Sequence, residues 1–124
     1  MLQIDFAARL VEGVSSGRKT ATTRWPGARL QVPCEALATS EGRVFARLEV
    51  VRLVETTSGQ VLRDAALARA EDLRDGAALM DLLRFFYPTM PAGEHVKLRV
   101  YHFRVIELVG GADGQAWPEP SSRL

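Results

Sequence analysis

Eight consecutive residues, Gly17-Arg18-Lys19-Thr20-Ala21-Thr22-Thr23-Arg24, gather three cationic side chains, three threonines and a glycine, with no bulky apolar residue committing them to a core. Glycine permits close approach to the backbone, arginine and lysine supply charge-assisted hydrogen bonds, and threonine hydroxyls both donate and accept, so the mixture suits an anion. A lysine desolvated in a cleft can lose its proton near neutral pH and activate a threonine hydroxyl as a nucleophile. An extended segment would put Lys19, Ala21 and Thr23 on one side and Thr20, Thr22 and Arg24 on the other. Pairing Lys19 with Thr22 therefore needs a tight turn. On composition alone, the same residues also describe a solvated loop with capping hydroxyls.

Other side chains offer less. His95 and His102 lie seven positions apart, which is no usual metal spacing, and no metal site is expected. His95 reads as a surface residue, and His102 as a histidine packed at a strand bend rather than a catalytic one. Trp25 directly follows the polar segment and, like Tyr87, could stack on a nucleobase, a contact worth about 1–3 kcal/mol per base. Tyr87, before a proline, reads more simply as helix-end packing. Cys34 is the only cysteine, which rules out an intrachain disulfide and reads as a small buried hydrophobe in a reducing compartment.

The elements that must position these residues follow from periodicity. Ile4, Phe6, Leu10, Val11 and Val14 recur at helical spacing and Gly17 stops them, which predicts an amphipathic helix from Ile4 to Val14. Lys19 to Arg24 should form a loop or short strand running into the turn at Trp25-Pro26-Gly27. Leu30 to Pro33 and Val44 to Val54 read as strands, with Val44, Ala46, Leu48 and Val50 on one face and a turn at Ser40-Glu41-Gly42. Two helices should follow between strands, one around Leu62 to Ala70 and one around Leu79 to Phe86, closed by Tyr87-Pro88. In the final strand, His95 to Leu108, Val96, Leu98 and Val100 share one parity while Phe103 and Val105 take the other, predicting a bulge near Tyr101-His102. Residues 110–124 read as a flexible C-terminal tail after a domain spanning 1–109.

At 124 residues the chain fits one domain. A hydrophobic fraction of 47% and a charged fraction of 25% match ordinary globular usage. A net charge of +1 excludes a protein that coats nucleic-acid backbone without regard to sequence, so any RNA contact must be local. The N-terminus lacks the basic start and apolar core of a signal peptide, and no apolar run approaches a membrane span, which suggests a cytoplasmic protein.

The segment Gly17 to Arg24 resembles the ASCH-domain signature G-R/K-K-T-x-T-x-R. Ala68-Arg69-Ala70-Glu71-Asp72-Leu73 is similar to that superfamily's A-x-x-E-G-F helix end, Phe86-Tyr87-Pro88 to its F-Y-P, and Val100 to Val105 to its closing V-x-x-F-x-V strand. The resemblance runs in order over residues 4 to 108. It departs at Ala28, where the family usually has Asp, and at Asp72, where a Gly or Asn is common.

The resemblance implies an α+β fold: a PUA-like mixed or antiparallel β pseudobarrel with an N-terminal helix and a two-helix insertion. It also implies handling of RNA or a nucleoside, with no cofactor and no membrane partner. Small bacterial members include N4-acetylcytidine amidohydrolases, and their roles would fall on Lys19 as proton acceptor, Thr22 as nucleophile and Glu71 as proton donor. Arg18, Thr20, Arg24 and Trp25 would contact substrate. Asp72, adjacent to Glu71, is the competing carboxylate. Two other activities fit the same scaffold: a non-catalytic RNA-binding module and a ribonuclease.

Overall fold

The computed structural model describes residues 2–109 and the backbone pairing of 122–123. Five strands, β1 (Leu2–Asp5), β2 (Ala21–Arg24), β3 (Cys34–Ser40), β4 (Arg43–Thr57) and β5 (Lys97–Leu108), form a mixed sheet curled into a half-barrel. The two-residue strand β6 (Ser122–Arg123) extends one edge, giving the order β2-β5-β4-β3-β1-β6. β1 runs parallel to β3 and β6, and the other pairings are antiparallel. Between β4 and β5 the chain leaves the sheet for three helices, α2 (Ser58–Leu62), α3 (Ala65–Ala70) and α4 (Gly76–Phe86).

The N-terminal helix expected over Ile4 to Val14 is a strand followed by a shorter helix. β1 ends at Asp5, a 3-10 turn covers Ala8–Leu10, and α1 spans Val11–Ser16. Ile4 and Phe6, both almost wholly buried, are two residues apart and point into the barrel together, a period of two that the later helical spacing concealed. Gly17, with φ +83°, closes α1 in the left-handed conformation that glycine adopts without strain.

Leu30 to Pro33, expected as a strand, is irregular, and pairing begins only at Cys34. The expected two-helix insertion holds three helices because Thr57, Asp64 and Asp75 each start one. Their side chains accept the backbone N–H groups of Gln60, Leu67 and Ala78, satisfying donors that a helix start leaves free. The expected tail at 110–124 lies outside the described residues except for the pairing of Ser122–Arg123 with β1.

Two hydrophobic cores share β5. Tyr101 and Phe103 face the barrel interior with Ile4, Phe6, Leu48 and Val50. Leu98 and Val100, on the other face, meet Ala21 of β2 and the helical residues Val61, Leu67, Leu79 and Leu83. The change of parity along this strand is thus two buried faces with different partners. The register irregularity expected near Tyr101-His102 is present, but its extra residue is Val51 of β4, between the pairs Val50–Phe103 and Arg52–His102.

Candidate functional site

The path of the chain after α1 brings Lys19 inward. Its backbone N–H donates to the Gly13 carbonyl at 2.9 Å, and the next N–H, of Thr20, donates to the Ala70 carbonyl at 2.6 Å. The segment is thereby tied at one point to α1 and at the next to the end of α3. Gly13 has little space to spare, since a Cβ there would stand 3.2 Å from an Asp72 carboxylate oxygen and 3.5 Å from Lys19 Cβ.

Glu71 arrives from the other side as the residue that closes α3. The Asp72 N–H bonds to the Arg69 carbonyl at 3.0 Å and the Leu73 N–H to the Ala68 carbonyl at 2.8 Å, the paired bonds of a Schellman ending. Such an ending requires a left-handed residue just past the cap, and Asp72 fills it with φ +61°. Glycine or asparagine suits that position for the same reason, and aspartate tolerates it better than most residues. The turn also separates the two neighbouring carboxylates. Glu71 points inward and is 3% exposed, whereas Asp72 points outward to accept from Arg18 Nε at 3.3 Å.

Lys19 Nζ donates to Glu71 Oε1 at 3.0 Å, and both side chains are almost inaccessible to solvent. Burial pushes the Lys19 ammonium below the ordinary lysine range. The attraction of Glu71 and its hydrogen bond oppose that fall, and the positive charge of Arg24 adds to it. The second Glu71 oxygen, Oε2, accepts from the Thr23 hydroxyl at 2.5 Å. Lys19 and Thr23 thus meet on the side where strand alternation places them. Thr22 lies on the other face, where its hydroxyl accepts from Arg24 Nε at 3.3 Å. Arg24 also donates to the Asp5 carbonyl at 2.7 Å and lies over the Phe6 ring, 5.3 Å from its centroid.

These side chains border one cavity of about 260 Å³. Lys19, Thr22, Thr23, Arg24 and Glu71 form its polar wall, and Phe6, Leu10, Leu79, Leu82, Leu83, Phe86 and Tyr87 form its apolar wall. An apolar enclosure with a few convergent polar groups is the usual construction of a small-molecule site. A larger depression of about 760 Å³ lies beyond Trp25, against Thr56, Thr57 and residues 91–99, and contains none of the Lys19 group. The buried lysine, carboxyl and threonine hydroxyls are all on the smaller cavity.

The residues singled out in the sequence divide accordingly. Lys19, Thr22, Glu71 and Arg24 border the same cavity, but the tight turn that would pair Lys19 with Thr22 is absent: Ala21–Arg24 is extended, Lys19 bonds Glu71, and Thr22 lies on the opposite face with Arg24. Arg18 is directed away from them, bridging Glu12 and Asp72 at 3.3 Å each beside a neighbouring cavity that also reaches Lys19 and Glu71. Thr20 is exposed, its hydroxyl donates to the Ala70 carbonyl, and its own carbonyl accepts from the Phe103 N–H. Trp25 packs edge-on against Tyr87, with centroids 6.0 Å apart, and faces the larger depression. His102 is half-buried opposite Ala21, and burial holds its imidazole below the ordinary histidine value. Cys34 is half-buried, and burial raises its thiol. Among the described residues, no cluster of three or more His, Cys, Asp or Glu side chains could hold a metal ion, and no helix is long and apolar enough to cross a membrane.

Thr23 was not singled out from the sequence, although alternation had already put it beside Lys19. Tyr87, read as packing, has a second surface on the cavity. At Ala28 it is the backbone carbonyl that matters, because it accepts the hydroxyl of the buried Tyr101.

The fold is that of the ASCH domain, a PUA-like α+β pseudobarrel. Among solved structures, the chain is similar to a DUF984-family protein of Enterococcus faecalis V583, with 20% identity over 87% of this chain and 77% of that one and a TM-score of 0.71. An ASCH domain from Lactobacillus crispatus JV V101 is 19% identical over 86% of this chain and 80% of the other, at a TM-score of 0.70. The ASCH protein of Zymomonas mobilis is 12% identical over 86% and 68%, at 0.64. No family model matches the sequence, and comparison with curated proteins gives no match.

Proposed function

We propose that the cavity is the active site of an amidohydrolase that removes an acyl group from the exocyclic amine of a modified pyrimidine nucleoside, such as N4-acetylcytidine. The observation that carries this reading is the buried contact of Lys19 with Glu71 beside two threonine hydroxyls. Two opposite charges withdrawn from water cost several kcal/mol each in desolvation, on the order of what their attraction returns. Burial pushes the Lys19 ammonium below the ordinary lysine range, the direction that a proton acceptor needs, with the Glu71 carboxyl in hydrogen-bond contact to serve as its partner.

In the first half-reaction the Thr22 hydroxyl attacks the amide carbonyl while Lys19 accepts its proton, and Glu71 protonates the departing exocyclic amine. The acyl group is left as an ester on Thr22. Water then attacks that ester, releasing the carboxylic acid and restoring the hydroxyl. Arg24 shapes the polar wall, and the apolar side chains of α4 with Tyr87 hold the base. Arg18 and Thr20, on the outer side of the segment, and Trp25, behind Tyr87, support the site from outside the cavity. The small volume suits a nucleoside better than a polymer chain.

The test is release of acetate from N4-acetylcytidine by the purified protein. Lys19→Ala, Thr22→Ala and Glu71→Ala, made separately, should each lower kcat/KM by about 10²- to 10⁴-fold, the usual contribution of a positioned acid or base. Activity indifferent to all three would reject the assignment. Salt-sensitive RNA binding without turnover would mark a binding module, and shortened RNA products a ribonuclease.

A further inference from the structure

We propose that Thr23 is a positioning residue for Glu71: its hydroxyl occupies one carboxyl oxygen and so directs the other, with the proton it exchanges, at Lys19. The inference rests on the hydrolase reading above. In the signature G-R/K-K-T-x-T-x-R, Thr23 stands at an unspecified position, so the motif assigns it no task.

The geometry does. A carboxyl group can carry its proton on either oxygen, and only one of the two placements serves a partner on a given side. Here Oε1 faces Lys19 Nζ and Oε2 receives the Thr23 hydroxyl. An oxygen already accepting a hydrogen bond from a hydroxyl is the poorer place for a proton, so the proton of the acid form lies on Oε1, in line with Nζ. Thr23 is 4% exposed, and among the described residues Lys19 and Thr23 are the side chains that hydrogen-bond to this carboxyl.

A proton cycle follows. After the first half-reaction Lys19 holds the proton taken from Thr22, and Glu71 has given its own to the leaving amine. Moving one proton from Nζ to Oε1 across 3.0 Å restores the starting pair without any exchange with solvent. The transfer needs Oε1 to stay aimed at Nζ, which is what the Thr23 hydrogen bond secures. The other charged or titratable groups around this pair are Arg24 and Asp5 across the cavity, Arg9, Glu12, Arg18 and Asp72 on the outer side, and His102 from β5.

Thr23→Val removes the hydroxyl at nearly constant volume, and Thr23→Ser keeps it. The valine variant should lose up to about 100-fold in kcat, the scale of a misaimed catalytic group. Its KM should stay within about 2-fold, because the hydroxyl removed is engaged by Glu71 and not offered to the substrate. The serine variant should recover most of the rate. A second readout needs no turnover: thermal unfolding midpoints of the two variants, measured in the otherwise wild-type chain and in one carrying Lys19→Met with Glu71→Leu. A hydroxyl bonded to the carboxyl makes serine the more stable while Glu71 is present, and the gap closes once the carboxyl is gone. A gap unchanged by loss of the carboxyl, or a valine variant as active as serine, overturns the proposal, as does an acyl ester trapped on Thr23 itself. Should the wild-type protein release no acetate, the hydrolase reading fails while the unfolding gap still decides whether Thr23 governs Glu71.

Discussion

The same two stretches of chain meet twice, and the two meetings differ in everything except chemistry. Arg18 and Asp72 pair at 3.3 Å with their side chains 49% and 41% exposed, whereas Lys19 and Glu71, one residue further in on each stretch, pair at 3.0 Å at 2% and 3%. The outer pair is solvated and screened, and such bridges contribute little. The inner pair has lost its water, so each partner depends on the other. A single step along the backbone, taken through the left-handed Asp72, separates a surface bridge from a buried one.

Breaking the inner pair should have the largest effect. Lys19→Met leaves Glu71 buried without its cation, and denaturant unfolding should report a loss of about 3–5 kcal/mol. Replacing both partners, as Lys19→Met with Glu71→Leu, should recover much of that stability while leaving no acetate release, which would separate the pair's structural cost from its chemical use.

Next in size is a dependence on pH. Because burial holds the folded Lys19 below the ordinary lysine value of 10.5, the folded chain sheds this proton before the unfolded chain does. The unfolded state then binds more protons, so this group's contribution to stability rises with pH from the lowered Lys19 value up to 10.5 and is flat below it. Unfolding midpoints measured on the alkaline side should show this rise in the wild type and not in the double variant.

The smallest effect belongs to the outer pair. Asp72→Asn keeps a residue that tolerates the left-handed turn and removes the charge opposite Arg18. Its unfolding curve should overlay that of the wild type, and its acetate release should be unchanged. A marked loss in either would mean that the two bridges are not independent.

Much of this was legible in the residues. The placement of Val44, Ala46, Leu48 and Val50 on one buried face and of a helical insertion between β4 and β5 follows from spacing, and alternation puts Lys19 and Thr23 on one side with Thr22 on the other. β1 was not legible, because a four-residue strand followed by a turn and a short helix produces apolar spacings that mimic one longer helix. Asp64 and Asp75 were available as caps that cut the insertion into three helices, a signal outweighed by the run of good helix formers between them.

At the site, the sequence held two unused clues. Thr23 shares the parity of Lys19. The chain also carries only two lysines, Lys19 and Lys97, among its 16 Lys and Arg residues. Arginine does not give up its proton in proteins whereas a buried lysine can, which sets Lys19 apart from the arginines and from the exposed Lys97. The outward turn of Arg18 and of Asp72 was beyond reach, since it depends on how the end of α3 closes.

A final consequence belongs to β5, whose opposite faces are claimed by two different cores. Most strands with a wet side forgive an error there, but inserting or deleting one residue near Val100 would exchange the inward and outward sets completely. Tyr101 would be thrust among the helices and Val100 into the space its ring had filled, undoing barrel and cavity together. This strand is therefore the part of the molecule where evolution or an engineer can change letters but not the count of them.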